Sequence, residues 1–183
     1  MPIDANTFGR LLRGAATVLR NLQRGTAAPP PTRGRGRQGQ GARPETPNLS
    51  SSYPGDFRGA ASVMYAPKPD GQPDPGEIVW TWVPYEEDHT QGKDRPVLLV
   101  GHSGGRLLAL MMTTKDRNNG QHSDSDYVDV GTGRWDRQRR PSEVKLDRIL
   151  QVDPADIRRE GAVLDRAPFE QVAAELRRRY GWS

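Results

Sequence analysis

The chain of 183 residues has room for one ordinary domain and a tail, and with 33% hydrophobic residues, 20 glycines and 16 prolines its core cannot extend over the whole length. The absence of cysteine excludes disulfides, thiol catalysis and cysteine-bound zinc. The net charge of +4 is uneven, because the first 50 residues carry +6 and leave −2 for the remainder. The basic pI therefore does not by itself indicate that the folded part binds nucleic acid.

Metal sites and membrane segments are not predicted. The three histidines lack metal-ligand spacing, so neither a metal nor another cofactor is expected. No apolar run approaches the roughly 20 residues that span a bilayer. Arginines interrupt every apolar patch near the N-terminus, which is atypical of a signal peptide. We therefore expect a cytoplasmic protein without stable membrane association.

The first 75 residues are predicted to precede the folded domain. Residues 1–24 are predicted to form an amphipathic helix, because apolar residues recur at i, i+3, i+4 and i+7 between positions 7 and 23. This helix either docks on the chain's own domain or binds a partner or a membrane surface. Residues 25–50, rich in Gly, Pro, Arg and Gln, are predicted to be a disordered linker. Residues 51–75, interrupted by prolines, are predicted to be an extended lead-in segment.

Residues 76–183 read as strands followed by a terminal helix. Apolar alternation or continuous apolar runs predict strands at Glu77–Val83, Pro96–Val100, Leu107–Thr114, Tyr127–Val130 and Ser142–Leu146. Tyr85–Asp94 is predicted to be a polar loop. Asp153 is predicted to begin a short helix that Gly161 stops, and Pro168–Tyr180 to form the terminal helix. Because no strand–helix–strand alternation is visible, the predicted fold is mainly β with α, a small SH3-like antiparallel β-barrel with a C-terminal helix.

A Gly-His-Ser-Gly-Gly string at Gly101–Gly105 has the pattern of a nucleophile elbow in serine hydrolases. That elbow leads into a helix, whereas Leu107–Thr114 has no polar face. Only His122 follows Ser103 among the histidines, with too little chain between them for the intervening sheet. We therefore interpret the string as the tight turn of a β-hairpin rather than as a site with a catalytic serine.

Four short motifs follow one another through the predicted domain. Gly76–Trp80 (Gly-Glu-Ile-Val-Trp) opens a strand, Arg95-Pro96 begins the next strand, and Met112–Thr114 ends its partner. Val144–Asp147 (Val-Lys-Leu-Asp), with Asp153 beyond it, is the fourth motif. In this order and spacing the motifs resemble those of the PemK/MazF family of type II toxin–antitoxin endoribonuclease toxins, over about residues 76–180.

The resemblance implies metal-independent cleavage of single-stranded RNA, including mRNA, by attack of a 2′-hydroxyl on the adjacent phosphate. By the family pattern Arg95 stabilises the charge on the phosphorane, a role that suits a planar, permanently charged guanidinium. An ion pair with Glu86 or Glu87 is the structural alternative for Arg95. Thr113 would hydrogen-bond the scissile phosphate, and Asp147 matches a position implicated in catalysis or RNA positioning.

The general base is less fixed by the pattern. The loop Glu that family members often carry corresponds to Thr90 here, so the base is assigned to His89, with Asp88 or Glu87 as alternatives. Histidine is the residue type that titrates near neutral pH, which suits it to proton transfer in the cell.

Four further residues are candidates for binding the RNA. Thr114 follows the catalytic threonine, and Lys145 stands where some family members have Arg. Trp135 could stack on a base, and the neighbouring Arg134 adds a cation for the phosphate backbone.

The resemblance also implies a homodimer that inhibits growth and is silenced by a cognate antitoxin occluding the RNA groove. Two other functions remain open. One is a non-catalytic module that binds nucleic acid or protein on the same fold. The other is a membrane-associated regulator that uses residues 7–24.

Overall fold

The computed structural model describes residues 49–117 and 124–183. The predicted helix at residues 1–24 and the linker up to residue 48 lie outside these ranges. Within them, no helix is both long and apolar enough to cross a membrane. The elements in chain order are β1 Glu77–Pro84, β2 Gly92–Ser103, β3 Arg106–Thr113, β4 Tyr127–Gly131, β5 Ser142–Lys145, β6 Leu150–Val152, β7 Ile157–Val163 and α1 Arg166–Tyr180.

The strands form one antiparallel, seven-stranded sheet. Six of them follow the order β4-β5-β3-β2-β1-β7, and the seventh, β6, pairs with β3. Strands β5 and β6 pair with successive parts of β3, β6 near its start and β5 at its end. Because β3 pairs with β6 near its start and with β5 at its end, the sheet bends between these two pairings and curls into a half-barrel. The predicted small antiparallel, barrel-like sheet with a C-terminal helix is confirmed.

The hairpin between β2 and β3 turns on two glycines. Gly104 and Gly105 have φ angles of 56° and 81°. Positive φ at both central positions is typical of the two-residue turns whose twist matches that of the flanking strands. Because Ser103 ends one strand and Arg106 begins the next, the chain lacks the helix that a nucleophile elbow requires at this place. The hairpin interpretation is confirmed.

The helix predicted between Asp153 and Gly161 is wrong. Only Pro154–Asp156 forms a single 3-10 turn, capped by Asp153, whose Oδ1 accepts from the backbone N–H of Ala155 at 3.0 Å. The chain then enters β7 and pairs with β1. A Cβ on Gly161 would lie 2.6 Å from the carbonyl oxygen of Ile78, so this glycine allows β7 to approach β1 closely rather than stopping a helix.

Two other strand predictions differ from the structure. Gly92–Asp94, predicted to be part of the polar loop, belongs to β2 and pairs with Trp82–Pro84. Strand β6 was not predicted, because its three residues are too few to show alternation. In both cases the strand is defined by its partner strand rather than by its own sequence pattern.

The side chains of the sheet divide between two faces, since successive residues of a strand point to opposite sides. The helix-covered face includes Ile78, Leu98, Leu110 and Val144, and these form one apolar cluster with Phe169, Val172 and Leu176 of α1. The second face has a smaller apolar cluster that includes Val79, Val97, Leu99, Ala109 and Leu150, with Tyr53 and Met111 packed against it.

The lead-in segment, residues 51–75, is joined to the sheet by hydrogen bonds although it forms no helix or strand. The backbone N–H of Phe57 donates to the carbonyl of Ile149 at 2.8 Å. Further along, the N–H of Met64 donates to the carbonyl of Val100 at 3.0 Å. The segment is therefore part of the folded domain.

Candidate functional site

The candidate site lies where the apolar cluster of the second face ends. Arg95 is on the same face as Val97, because two residues along a strand return to the same side. The β2–β3 pairing begins at Val97 and Met111, and Arg95 and Thr113 each lie two residues beyond it along their strands. Thr113 is paired in turn with Glu143 on β5. Strand register alone thus gathers polar residues from three strands.

A cleft of about 310 Å³ opens beside Arg95. It is bounded by the ends of β1, β2, β3 and β5 and by the loop that follows β1. Its walls combine apolar side chains with three cations and two carboxylates. They are Val83, Pro84, Tyr85, Glu86, Glu87, Arg95, Met111, Lys145 and Arg148. Such a mixture of an apolar wall and convergent charged groups is typical of a binding site.

Arg95 is half-buried and makes no ion pair or side-chain hydrogen bond with any residue that the structure describes. The alternative ion pair with Glu86 or Glu87 is not formed; Glu86 bonds to Lys145 instead. The donors of the Arg95 guanidinium are therefore available to an incoming anion, and their fork geometry fits the oxygens of a phosphate.

Lys145, the second cation of the cleft, is bound between two carboxylates. Its Nζ lies 3.1 Å from Glu86 Oε1 and 2.9 Å from Asp147 Oδ2. Burial acts to lower the pKa of the Lys145 ammonium, but its hydrogen bonds to Asp147 and Glu86 outweigh burial and raise the pKa. A ligand phosphate must compete with these carboxylates before it can bind Lys145.

Thr113 has a hydroxyl that can donate. Its Oγ1 accepts a hydrogen bond from the backbone N–H of Lys115 at 3.1 Å, which leaves the hydroxyl proton for another acceptor. The buried carboxylate of Glu143 accepts from the N–H of Arg117 at 3.2 and 3.1 Å. These bonds fix the chain just after Thr113 and hold the hydroxyl at the end of the strand.

His89 lies in an adjoining pocket of about 570 Å³ rather than in the cleft itself. Asp147 lines the same pocket, and Glu86 and Arg148 line both cavities, so the two are neighbours. The structure thus groups Arg95 with Lys145, and His89 with Asp147.

Asp88 is held within its own loop. Its carboxylate accepts from the backbone N–H of Thr90 at 2.9 Å, from the Thr90 hydroxyl at 2.6 Å and from Gln91 Nε2 at 2.6 Å. The hydrogen bonds from Thr90, and then that from Gln91, lower the pKa of Asp88. A carboxylate with a lowered pKa is a weaker proton acceptor, which leaves Glu87, on the wall of the cleft, as the better alternative to His89.

Three of the predicted RNA-binding residues are placed away from the cleft. Thr114 lines a separate pocket, and Arg134 and Trp135 line another with Trp80. Trp135 is only 7% exposed and belongs to the apolar cluster of the helix-covered face. Its indole N–H donates to Ser142 Oγ at 3.0 Å. Burial leaves little of the ring for a stacked base.

Tyr85 and Arg148 line the cleft but were not singled out by the sequence. Tyr85 is a half-buried aromatic residue directly after β1, and the ammonium of Lys93 lies 5.9 Å from the centre of its ring. Its signal was its position after Pro84, where the chain leaves the strand. Arg148 directly follows the Val144–Asp147 motif, which was its only signal.

Arg148 has a side chain that is only 10% exposed. Its Nε donates to Asp56 Oδ2 at 2.7 Å, and its Nη1 donates to the carbonyl of Pro84 at 2.6 Å. Burial acts to lower the pKa of Arg148, but the bond to Asp56 raises it on balance. Burial, followed by a hydrogen bond to Asp56, also raises the pKa of Tyr53. A partly buried polar network of Tyr53, Asp56 and Arg148 therefore adjoins the cleft.

Comparison with known proteins gives one family match. The model of the family described as PemK-like, MazF-like toxin of type II toxin–antitoxin system matches residues 74–179. No curated protein is similar enough to count as a relative.

Solved structures of low sequence identity also resemble the chain. MazF (Form-I) from Deinococcus radiodurans is 20% identical, with 61% of this chain and 99% of that chain covered and a TM-score of 0.47. The Mycobacterium tuberculosis toxin MazF-mt6 is 16% identical, with 58% and 98% covered and a TM-score of 0.41. A MazE-MazF structure (Form-III) from Deinococcus radiodurans is 19% identical, with 61% and 98% covered and a TM-score of 0.44.

Proposed function

Because the chain belongs to the PemK-like, MazF-like toxins of type II toxin–antitoxin systems, we propose that it is an endoribonuclease that cleaves single-stranded RNA in the cleft beside Arg95. The observation that carries this proposal is the guanidinium of Arg95. It is half-buried, has no partner among the described residues, and lines the cleft together with Lys145.

The proposed reaction needs only groups of the RNA and of the protein. A base takes the proton of a ribose 2′-hydroxyl, and the 2′-oxygen attacks the adjacent phosphorus. The bond from phosphorus to the 5′-oxygen of the next nucleotide breaks, and that oxygen takes a proton, for which Arg95 is the proposed acid. The products are a 2′,3′-cyclic phosphate and a 5′-hydroxyl, and no metal takes part.

The charge that develops on the phosphate oxygens is the main electrostatic demand of this reaction. Arg95 meets it with parallel N–H donors, and the Thr113 hydroxyl adds a further hydrogen bond. Lys145 contributes a second positive charge once the RNA displaces Glu86 or Asp147 from its ammonium group. Tyr85 stacks on a base next to the scissile bond.

His89 is the proposed general base, and Asp147 is proposed to position the RNA. Both residues line the adjoining pocket, so an RNA strand that occupies both cavities places its phosphate at Arg95 and its ribose toward His89. His89 is carried by the loop after β1, and movement of this loop would adjust its distance to the 2′-hydroxyl.

The biological role follows from the same proposal. The protein is proposed to act in the cytoplasm as a homodimer that inhibits growth by cutting mRNA. Its partner is a cognate antitoxin, as MazE is for MazF. The antitoxin silences the enzyme by occupying the groove that RNA would use.

The test uses the purified full chain and a single-stranded RNA library in excess EDTA. Cleavage is expected to leave 2′,3′-cyclic phosphate ends, and Arg95→Ala is expected to slow it by about 100- to 1,000-fold. Arg177→Ala, an exposed arginine on α1, is the matched control and should cleave like the wild type. Cleavage that needs added metal contradicts the mechanism, and cleavage that survives Arg95→Ala contradicts the role of Arg95.

A second function, RNA binding without cleavage, is favoured by the state of Lys145. Two carboxylates already satisfy this cation, and Glu87 adds another acid to the cleft wall. If the library binds with an affinity that Arg95→Ala weakens but is never cut, the protein is a binding module on the same fold.

A further inference from the structure

The lead-in segment reaches the cleft through a chain of hydrogen bonds. The Tyr53 hydroxyl donates to Asp56 Oδ1 at 2.6 Å, and Asp56 Oδ2 accepts from Arg148 Nε at 2.7 Å. Arg148 Nη1 then donates to the carbonyl of Pro84 at 2.6 Å. The chain of contacts therefore connects the lead-in segment, the turn after β5 and the end of β1.

Both ends of this network hold the loop 85–91, which carries Glu86 and His89. Pro84 is the residue from which the loop departs. At the other end, the Tyr53 ring packs edge-on against the His89 ring, with centroids 5.0 Å apart. The loop is thus held at its base by Arg148 and near its tip by Tyr53.

The internal bonds of the loop do not fix it to the domain. The N–H of Tyr85 donates to the carbonyl of Gln91 at 2.8 Å, and the N–H of Gln91 donates to the carbonyl of Asp88 at 3.1 Å. These bonds close the loop on itself without joining it to another part of the chain, and in a loop that nothing else holds they open more often. Its orientation must come from contacts with other parts of the chain.

Stability alone does not account for an arginine at position 148. Its Nη2 is buried and has no hydrogen-bond partner within the described residues, and an unsatisfied buried donor costs about 1–3 kcal/mol. An apolar residue of similar size often serves a buried position equally well or better. The place of Arg148 in the wall of both cavities gives it a role in the site instead.

We propose that Tyr53, Asp56 and Arg148 form a positioning clamp that sets the loop 85–91 beside the cleft and holds His89 in the adjoining pocket. The catalytic part of this inference rests on the proposed RNA cleavage. Because Tyr53 and Asp56 precede the matched residues 74–179, the matched domain alone does not contain the whole site. The lead-in segment thus contributes two residues, Tyr53 and Asp56, to the proposed active site.

The clamp affects the reaction rate by setting the distance between His89 and the ribose 2′-hydroxyl. A general base must lie within hydrogen-bonding reach of the proton it takes, and a displacement of about 1 Å can slow a reaction by about 100-fold. A loop that is held in place before RNA binds keeps His89 close to this position. Loss of the clamp should therefore lower kcat more than it raises KM.

The experiment compares Asp56→Asn, Arg148→Lys and Ser62→Ala in the full chain. Asn keeps the shape of Asp56 but loses its charge, and Lys keeps the charge of Arg148 but cannot bond to Asp56 and Pro84 with one planar fork. Ser62→Ala is the matched control, because Ser62 lies in the same segment but bonds to Ser183 Oγ at 2.6 Å, away from the clamp.

Two readouts are taken, RNA cleavage kinetics and amide hydrogen exchange in the loop. Asp56→Asn and Arg148→Lys are expected to lower kcat by about 10- to 100-fold with KM changed by less than about threefold. The amides of Tyr85 and Gln91 are expected to exchange at least about tenfold faster in both variants. Ser62→Ala should change neither readout.

The exchange readout separates the two proposals. If the wild type cuts no RNA but the loop amides exchange faster in Asp56→Asn and Arg148→Lys alone, the clamp stands and the proposed function fails. Unchanged exchange and unchanged kcat in both variants overturn the clamp. Equal losses in Ser62→Ala also overturn it, because the segment would then act through general stability.

Discussion

The two faces of the sheet are built from the same strands but end differently. The helix-covered face stays apolar from Leu98 through Leu110 to Val144, where it meets α1. The second face is apolar around Val97 and then changes to charged and hydroxyl side chains at the strand ends. Adjacent residues such as Val144 and Lys145 therefore serve different purposes, one in the core and one in the cleft. Alternation lets a short strand contribute to stability and to function at once.

The largest expected effect is on the helix-covered face. Phe169 is 1% exposed within the main apolar cluster. Phe169→Ala should lower the free energy of unfolding by about 3–5 kcal/mol, because it removes buried area and leaves a cavity. Urea unfolding measures this loss, while RNA cleavage per folded molecule should stay the same. A loss below about 1 kcal/mol would show that α1 contributes little to the core.

A substitution on the second face should lower RNA cleavage and leave the free energy of unfolding nearly unchanged. Arg95→Lys keeps a positive charge but loses the paired donors, and we expect RNA cleavage to slow by about 100-fold. The free energy of unfolding should change by less than about 0.5 kcal/mol, because Arg95 has no partner to lose among the described residues. Cleavage kinetics and urea unfolding on the same preparation test both halves. A large loss of stability would show that Arg95 stabilises the fold rather than contributing to RNA cleavage.

A smaller effect is expected at the end of β3. Thr113→Val keeps the branched shape and removes the hydroxyl, so cleavage should slow by about tenfold, which corresponds to one hydrogen bond to a charged group. Thr113→Ser keeps the hydroxyl and should retain most of the activity. Single-turnover cleavage of RNA compares the two variants. Equal activity of Val and Ser would exclude a role for the hydroxyl.

The smallest expected effect is a change in stability at acid pH. It concerns Asp136, the neighbour of Trp135, whose ring lies in the apolar cluster of the helix-covered face. Hydrogen bonds from the Arg140 side chain and backbone lower the pKa of Asp136 from its ordinary value of 3.8 to about 2. A lowered folded-state pKa stabilises the protein above pH 3.8, and this contribution is lost as the pH falls toward 2. Asp136→Asn should therefore lose less stability than the wild type between pH 4 and pH 2. Thermal unfolding across this range tests the difference, and identical curves would contradict it.

The sequence predicted best what depends on alternation and on turn chemistry. The hairpin at Gly104-Gly105 and the place of Thr113 at the end of β3 could be predicted, because a strand repeats every two residues and a Gly-Gly pair is typical of a tight turn. Strand β7 could not be predicted, because a cap at Asp153 followed by Gly161 is also typical of a short helix. Only the pairing with β1 shows that this segment is a strand. Trp135 was misread as a surface residue because its neighbours are charged, while its ring fits into the core.

Residues outside the strands were the hardest to predict. Arg148 meets Asp56 across 92 positions of sequence, and no local pattern encodes such a contact. Tyr53 belongs to a segment that was expected only to be an extended lead-in, yet its hydroxyl and its ring each make a specific contact near the site. The cleft could be outlined from the sequence, but the groups behind it could not.

The place of β7 beside β1 has a consequence for how the protein folds. The first strand of the domain gains this partner only after the chain has been made through Val163, and α1 follows later still. Sheets closed by such distant pairings fold slowly, on the order of milliseconds to seconds for small domains. During synthesis on the ribosome β1 must therefore wait, unpaired on one edge, until almost the whole domain has emerged.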